Sequence, residues 1–292
     1  MDIAKKRRPA EVLLGFFLLC HPLPVLFHIL AVTVFALLAL WPLHNWNSIG
    51  LIIAAHAALQ LSIAVCNDYC DRQADAVSKK DKPIPRGLVR PHEALITALL
   101  LIVVMILLLL PLNPLALLIS LLYLLLGQSY NFGLKSTPLS GVVFALAIPL
   151  IPVYAFVAAG RIIPFILWLV PVAAFLGIAL NLANSLPDIE DDAANNARTL
   201  AVVLGIKRSS IACSACLLLS IILIAVLTIT HLVPAREMFI GPTLFFSLLG
   251  VIALLFFFGP QPPTSLRKLY FYLVTLLCLI LGSGWLLAAF AG

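Results

Sequence analysis

The sequence is poor in charged residues. Only 10% of its 292 residues are Asp, Glu, Lys or Arg, 63% are hydrophobic, and the mean hydropathy is +1.15. A soluble domain has about a quarter charged residues and less than half apolar ones, so this composition excludes an ordinary soluble domain. Apolar runs of about twenty residues recur along the chain, and each is long enough to cross a bilayer as a helix.

The apolar runs also lack the alternation of polar and apolar residues that marks a transmembrane β-barrel. Because backbone polar groups must be paired inside lipid, the spans are then helices. We predict an all-α polytopic membrane protein of one domain, residues 1–292, with a basic N-terminal tail at residues 1–11. The nine predicted transmembrane helices are Val12–Trp41, Ser48–Cys66, Ala94–Leu110, Leu115–Gly127 (extending towards Tyr130), Leu139–Ala159, Pro164–Ser185, Ser209–Thr228, Phe239–Phe258 and Leu269–Phe290. The apolar stretch at residues 10–40 is too long for a cleaved signal peptide.

Cysteine is also scarce, with six residues. Cys213 and Cys216 form a CxxC pair, but this pair lies in an apolar helix without a second pair or a histidine partner. A zinc or redox site normally shows more ligands than this. We therefore predict that the cysteines are small apolar core residues.

Basic residues are unevenly divided between the two predicted membrane sides. Sixteen of the eighteen Lys and Arg fall on the side of the N-terminus, and the other side keeps only Arg161 and Arg236. This asymmetry predicts a cytoplasmic N-terminus in a protein of the inner (cytoplasmic) membrane. Topology and anionic head groups account for the net charge of +6, so no nucleic-acid partner is predicted.

Acidic residues are few, and most are clustered. Eight of the twelve lie in two stretches that follow the second and sixth predicted helices, and hence on the same side of the membrane. If the second helix continues, Asn67, Asp71 and Asp75 share one face at spacings of four residues. Asp188 and Asp192 are likewise one turn apart. The two stretches contain Asp68, Asp71, Asp75 and Asp81, and Asp188, Glu190, Asp191 and Asp192.

Like charges one turn apart repel each other, so another group must offset them. One interpretation is a solvated loop in which nearby Lys and Arg neutralise the acids. The other is a divalent cation: Mg²⁺ prefers carboxylate oxygens and usually keeps water and substrate phosphates in its shell. Basic residues follow each acidic stretch and could bind the remaining phosphate oxygens of a diphosphate. They are Arg72, Lys79, Lys80, Lys82 and Arg86 in the first case, and Arg198, Lys207 and Arg208 in the second.

Polar side chains inside two predicted helices lead towards the acidic stretches. His56 and Gln60 precede the first stretch, and Asn181 and Asn184 precede the second, at helical spacing. Polar groups in a membrane interior are costly and usually face a cavity. The alternative is that they form hydrogen bonds between helices.

Several motifs resemble those of the UbiA superfamily of intramembrane prenyltransferases. NDYCDRQAD (67–75) is similar to the superfamily's NDxxDxxxD motif, and DKPIPRG (81–87) to its DRPIPSG segment. LPDIEDD (186–192) resembles the second acidic motif, RTLAVVLG (198–205) the run after it, and YNFGLKSTPLS (130–140) the Tyr–Lys segment after the fourth helix. The matches occur in family order and span most of the chain.

The resemblance implies nine transmembrane helices around a central cavity that opens laterally to lipid, with a cytoplasmic polar cap. It implies an Mg²⁺-dependent transferase that moves a prenyl group from a polyprenyl diphosphate to a small acceptor and releases diphosphate. An aromatic acceptor, as in quinone biosynthesis, is the expected class. The expected partners are therefore the prenyl diphosphate, a small aromatic or other lipophilic acceptor, and the lipid bilayer.

The resemblance also implies roles for individual residues. The implied metal ligands are Asn67, Asp71, Asp75, Asp188 and Asp192. The implied catalytic residues are Asp71, Asp75, Asp188, Asp192 and Lys135. The expected substrate-binding residues are Asn67, Asp68, Arg72, Tyr130, Asn184, Arg198, His56 and His21. Of these, Arg72 and Arg198 rest on charge and position alone, His56 and Asn184 on the polar series inside the helices, and His21 on its place in a segment that departs from the family pattern. Asp191 is a candidate base. The chain has Cys20, His21 and Pro22 where the family commonly has an Arg-Pro pair, which leaves the acceptor open.

Two other functions are compatible with clustered acids. A terpene cyclase on the same scaffold would ionise the same diphosphate and capture the cation within the same chain. A cation transporter would use the carboxylates directly, but transporters place such groups at mid-membrane in broken helices. Here the acids follow helix ends beside a basic loop, so the transferase is favoured.

Overall fold

The computed structural model describes residues 7–42, 45–257 and 262–290, and every regular element within these ranges is helical. The α-helices are α1 (Pro9–Leu19), α2 (Pro22–Ala39), α3 (Trp46–Ser78), α4 (Pro91–Leu109), α5 (Pro114–Asn131), α6 (Ser140–Ala158), α7 (Phe165–Ser185), α8 (Ile189–Ala194), α9 (Leu200–Ile229), α10 (Glu237–Leu255) and α11 (Thr264–Phe290). Counting α7 and α8 as one, nine helices in the described ranges are long and apolar enough to cross a membrane, which confirms the predicted number. The predicted tail up to Lys6 and the predicted helix end at Phe258 lie outside the described residues.

The first predicted helix, Val12–Trp41, is wrong as a single element. It breaks at Cys20 and His21, and His21 has a left-handed backbone with φ of 46°. Pro22 then occupies the first turn of α2, where its missing N–H costs nothing. The 11 residues of α1 are too few to cross the bilayer, so α2 is the first span.

Helix α3 carries the first acidic motif beyond the membrane core. Its 33 residues extend about 50 Å at 1.5 Å per residue, whereas the hydrocarbon core is about 30 Å thick. The Asn45 side chain accepts a hydrogen bond from the Ser48 N–H (3.2 Å) and begins the helix. The helix continues through Asp75 to Ser78, so the acids share the helix that carries His56 and Gln60.

Two other boundaries also bear on the site. The fourth span extends through Tyr130 to Asn131, as expected. The seventh span, predicted from Ser209, begins instead at Leu200. The Thr199 hydroxyl accepts a hydrogen bond from the Val202 N–H (3.2 Å) and caps this helix, and Gly205 (φ 74°) allows a kink one turn later.

The second acidic motif does not continue α7 as a regular α-helix. Residues Leu186–Asp188 form a 3₁₀ turn, and the short helix α8 follows. Pro187 lacks the N–H that an uninterrupted helix would use, which explains the change. Asp188 and Asp192 therefore lie on a separate short segment.

The helices pack around two large buried clusters. One is formed mainly by α7, α9, α10 and α11, and the other by α2 to α6. Helices α6 and α7 approach closely because Gly177 has no side chain: a Cβ there would lie 2.4 Å from the Phe144 carbonyl oxygen. Many Leu, Ile, Val and Phe side chains remain exposed on the outside of the bundle, as lipid contact requires.

Candidate active site

A polar cavity of about 790 Å³ lies between α2, α3, α5, α6 and α7 and the loops at one end of the bundle. Both acidic motifs contribute to its wall. The acidic and basic residues that line it are Asp71, Asp75, Asp188, Asp191, Asp192, Lys79, Lys82 and Lys135. Its wall follows one face of α3, on which Gln60, Asn67 and Asp71 are successive polar residues.

Three lysines connect the acids around this cavity. The Lys79 ammonium lies 3.0 Å from the Asp188 carboxylate and so bridges the two motifs. Lys135 pairs with Asp71 across α3 and the loop after α5. Like charges that would repel along α3 are thus neutralised by opposite charges from other elements.

Lys82 is the lysine that contacts two carboxylates at once. Its ammonium lies 2.8 Å from both Asp68 and Asp75. Burial alone lowers the pKa of Lys82, but the two carboxylates outweigh that effect and the pKa is raised above its ordinary value. Lys82 therefore stays protonated at neutral pH and holds the loop after α3 against the acids.

The Asn67 amide is oriented by a hydrogen-bond chain from α5. The Asn131 amide nitrogen donates to the Ile63 carbonyl (3.0 Å), so its oxygen faces Asn67 and accepts from the Asn67 amide nitrogen (3.0 Å). The side-chain amide oxygen of Asn67 then has no protein hydrogen-bond donor among the described residues. It is an uncharged oxygen donor on the face of α3 that also carries Asp71, and its role as a metal ligand stays a prediction.

Arg267 of α11 holds the segment that carries the second motif. Its guanidinium donates to the Leu186 carbonyl (3.0 Å) and to the Glu190 carboxylate (2.6 Å). The residue is 5% exposed, although Glu190 itself is mostly exposed. Arg267 thus fixes the 3₁₀ turn and α8 to the bundle.

The donors around the cavity are suited to a hard cation. Carboxylate oxygens and the Asn67 amide oxygen are the ligands that Mg²⁺ prefers, and no cysteine lines this cavity. Within residues 7–42, 45–257 and 262–290, no three His, Cys, Asp or Glu side chains are already grouped as a metal cage. The two motifs instead form two partial ligand sets, and such sets fit Mg²⁺ ions that are also coordinated by water and substrate phosphates.

Several predicted substrate residues lie at the cavity. Tyr130, Asn184 and His21 line it. The His21 ring nitrogen lies 2.9 Å from the carboxylate of Asp68. Asp68 is 2% exposed and lies behind the cavity wall, where it contacts the wall residue Lys82. The structure brings these residues together with the acids but leaves their roles in substrate binding as predictions.

Other predicted residues lie away from the cavity. The Arg72 guanidinium stacks over the Tyr69 ring (4.3 Å), and Arg198 is an exposed side chain whose backbone N–H donates to the Ser136 carbonyl. His56 is 2% exposed and lies behind Gln60. The structure therefore gives Arg72, Arg198 and His56 no direct place in the cavity wall.

A second, apolar chamber of about 230 Å³ adjoins the polar cavity. The two share Pro24, His28, Phe144, Ile148 and Asn184 in their walls. Its lining comes from α2, α6, α7 and α11 and is largely aromatic and aliphatic, including Phe27, Phe35, Phe271, Leu176 and Trp285. The polar cavity thus borders a space suited to a hydrocarbon chain.

Three features of this region did not follow from the motifs. His28 lines both spaces, Tyr123 lines the polar cavity, and Arg267 anchors the second motif. A histidine inside an apolar run was a usable signal, because such residues usually face a cavity. Arg267 carried no comparable signal, since it stands with Lys268 in a basic pair at the start of a helix.

Known proteins share sequence features with this chain. The model of the UbiA prenyltransferase family matches residues 25–279. Digeranylgeranylglyceryl phosphate synthase of Natronomonas pharaonis is 35% identical over 146 residues (49% of this chain, 52% of that protein), and 4-hydroxybenzoate octaprenyltransferase of Aeromonas hydrophila is 30% identical over 197 residues (65% of this chain, 64% of that protein). The chain therefore spans about half to two thirds of the length of these relatives.

A solved structure of a UbiA homolog from Archaeoglobus fulgidus bound to DMAPP and Mg²⁺ has the same fold. The TM-score is 0.75 over 93% of this chain and 99% of that chain, at 17% identity. The structural likeness supports the multi-pass helical fold, and the family match covers both acidic motifs. The chain belongs to the UbiA prenyltransferase family.

Proposed function

We propose that this protein is an Mg²⁺-dependent intramembrane prenyltransferase that moves a prenyl group from a polyprenyl diphosphate to a small acceptor, with an aromatic ring as the expected class. The observation that carries the proposal is that two different spaces adjoin each other. Acids and lysines line one cavity, and an apolar chamber beside it shares part of its wall. A prenyl diphosphate has a charged head group that suits the polar cavity and a hydrocarbon tail that suits the apolar chamber.

The proposed metal ligands are oxygen donors from both sides of the cavity: Asn67, Asp71, Asp75, Asp188 and Asp192. Bound Mg²⁺ supplies Lewis acidity that neutralises charge on the departing diphosphate. Lys79, Lys82 and Lys135 already point into the cavity and have acids as partners. In the complex they would donate to the remaining phosphate oxygens, since an ammonium binds either anion.

The allylic carbon would lie where the polar cavity meets the apolar chamber. Phe144 lies in both walls, and its ring packs edge-on against Tyr130 (5.6 Å). Aromatic faces stabilise cationic charge, and the surrounding apolar wall keeps water from the allylic cation. The acceptor then forms its bond to this carbon, and Asp191, which lines the cavity, is the proposed acceptor of the ring proton.

We also propose that the acidic end of the bundle faces the cytoplasm of an inner-membrane protein. Lys79, Lys82 and Lys135 surround the cavity at this end, in keeping with the excess of basic residues on one side. In a cysteine-free background, cysteines placed at the exposed positions Val77 and Asn195 should react with an impermeant thiol reagent from the cytoplasmic side only. Labelling of the two from opposite sides would contradict the arrangement.

The direct test follows diphosphate release by the purified protein in nanodiscs, with geranyl and longer prenyl diphosphates, Mg²⁺ or EDTA, and a panel of phenols and aromatic acids. We expect release that requires both Mg²⁺ and an acceptor. Asp71→Asn and Asp188→Asn should abolish it while the protein still inserts and keeps its unfolding temperature. Acceptor-independent release with a hydrocarbon or terpene alcohol product would identify a cyclase. No release with any substrate would refute the proposal and favour the transporter.

A further inference from the structure

A buried polar cluster lies at the membrane-interior end of the cavity, away from the acids. It consists of His28 of α2, His56 and Gln60 of α3, and Tyr123 of α5. Gln60 precedes Asp71 by eleven residues on one uninterrupted helix, a distance of about 16 Å. The roles proposed above for the acids and lysines do not use this cluster.

Hydrogen bonds fix which groups the cluster presents to the cavity. The Gln60 amide nitrogen donates to the Tyr123 hydroxyl (2.7 Å), and its nearest other partner is His28 Nδ1 (3.1 Å). Because Tyr123 accepts from Gln60, its own O–H proton is available for another partner. Because His28 accepts at Nδ1, the proton of its neutral ring is on Nε2.

The cluster is uncharged. Among the described residues no carboxylate contacts His28 or His56, and the two rings lie only 6.2 Å apart, where two imidazolium charges would repel each other. His56 is packed between the rings of Tyr123 and Tyr154, both at 5.6 Å, and reaches the cavity only through Gln60. A charge here would have to be buried without a partner, which is costly.

The cations of the cavity are all at its other end. The basic side chains in its described wall, apart from histidine, are Lys79, Lys82 and Lys135, and each has an acid as its partner. A carboxylate or phosphate beside Gln60 would therefore lose its hydration without gaining a counter-ion. A hydroxyl, carbonyl or ether oxygen would need only the N–H and O–H donors that are present.

We infer that His28 and Tyr123, which Gln60 holds in place, bind an uncharged oxygen of the prenyl acceptor. The acceptor class is thereby narrowed to neutral phenols, alcohols or quinols that carry no carboxylate or phosphate on the part that enters this end. His56 is a positioning residue that packs against the Tyr123 ring. The inference rests on the proposed prenyl transfer and names the substrate class of the same cavity.

A matched pair of acceptors tests the charge argument. Methyl 4-hydroxybenzoate and 4-hydroxybenzoate share a phenol ring, but only the second is an anion at neutral pH. We expect kcat/KM at least about tenfold higher for the ester, the factor that corresponds to one unmade buried hydrogen bond or more. In EDTA, the ester should raise the unfolding temperature of the wild-type protein and the acid should not.

Matched tyrosine variants test the contact. Tyr123→Phe removes only the cavity hydroxyl and should raise the KM for the ester about three- to tenfold, with the KM for prenyl diphosphate unchanged. Tyr154→Phe is the control, since the Tyr154 hydroxyl donates to the Ile52 carbonyl (2.9 Å) and does not line the cavity. It should leave both KM values unchanged.

The outcomes separate the two proposals. Equal or better use of the acid than the ester, or an unchanged ester KM in Tyr123→Phe, would overturn the assignment of this cluster while leaving prenyl transfer intact. A wild-type protein that releases no diphosphate with any acceptor would refute the transferase itself. A temperature shift with the ester in EDTA that is lost in Tyr123→Phe would still support the binding site.

Discussion

Arg267 offers the sharpest test of how the second acidic motif is positioned. Replacing it with methionine removes the hydrogen bonds to the Leu186 carbonyl and to Glu190 but keeps an apolar side chain of similar length. A hydrogen bond to a charged group contributes about 1.5–3 kcal/mol, although the bond to Glu190 counts little because that side chain is 61% exposed. The segment that carries Asp188 and Asp192 therefore loses about 2–3 kcal/mol of its anchoring.

This loss should appear as weaker use of the metal. An energy of 2–3 kcal/mol corresponds to about 30- to 150-fold, and we expect the Mg²⁺ concentration for half-maximal diphosphate release to rise by up to this factor. The packing of Leu186 and Ile189 in the core makes the figure an upper value. The unfolding temperature should change little, because the carboxylate left behind on Glu190 is 61% exposed and stays hydrated.

The adjacent position gives the control for Arg267→Met. Lys268→Met removes the same charge from an exposed residue one position along α11 and should leave the Mg²⁺ requirement unchanged. Glu190→Gln keeps the partner's shape without its charge and should have a small effect. A wild-type Mg²⁺ requirement in Arg267→Met would refute the view that α11 holds the second motif in place.

Three further predictions concern the lysines, the helix contact and the metal. Lys135→Met should lower kcat/KM for prenyl diphosphate about tenfold or more through loss of a charged donor, while the exposed Lys207→Met should not, as initial rates over a substrate series will show. Gly177→Ala should lower the unfolding temperature, because its Cβ would lie 2.4 Å from the Phe144 carbonyl oxygen, whereas Gly282→Ala meets no atom within 4 Å and should not. EDTA should abolish diphosphate release without unfolding the protein, because the lysines neutralise the acids in the absence of metal; loss of the helical circular-dichroism signal in EDTA would contradict this.

Local chemistry explains which parts of the fold were predictable. The number of spans follows from apolar length, which is a property of the chain itself. The predicted end of the second helix at Cys66 was wrong, because α3 continues to Ser78 and so carries Asp71 and Asp75 at helical spacing. The end of the sixth predicted span at Ser185 agrees with the end of α7. The break at His21 was not predicted, although Pro22 marked the place. The apolar pattern continued across that break, and a proline in the first turn of the next helix decided the local structure.

The sequence predicted which acids come together at the cavity, but it did not predict how the neighbouring side chains pair with them. Spacing alone placed Asp71 and Asp188 at the same end of the bundle, and the cavity contains both. It could not show that Lys82 joins Asp68 to Asp75, or that Arg72 turns to the Tyr69 ring, because both depend on how the loop after α3 folds back. Side chains that meet through tertiary packing leave no periodic signal in the sequence.

The continuity of α3 makes this helix a molecular ruler. Because Gln60 and Asp71 belong to one uninterrupted helix, their separation along its axis is fixed at about 16 Å and does not adjust to the substrate. The reacting atoms near Asp71 and the acceptor oxygen near Gln60 must therefore be matched by the size of the acceptor. One residue inserted between the two positions would turn Gln60 by about 100° away from the cavity. Acceptor length is thus measured by a helix that also crosses the membrane.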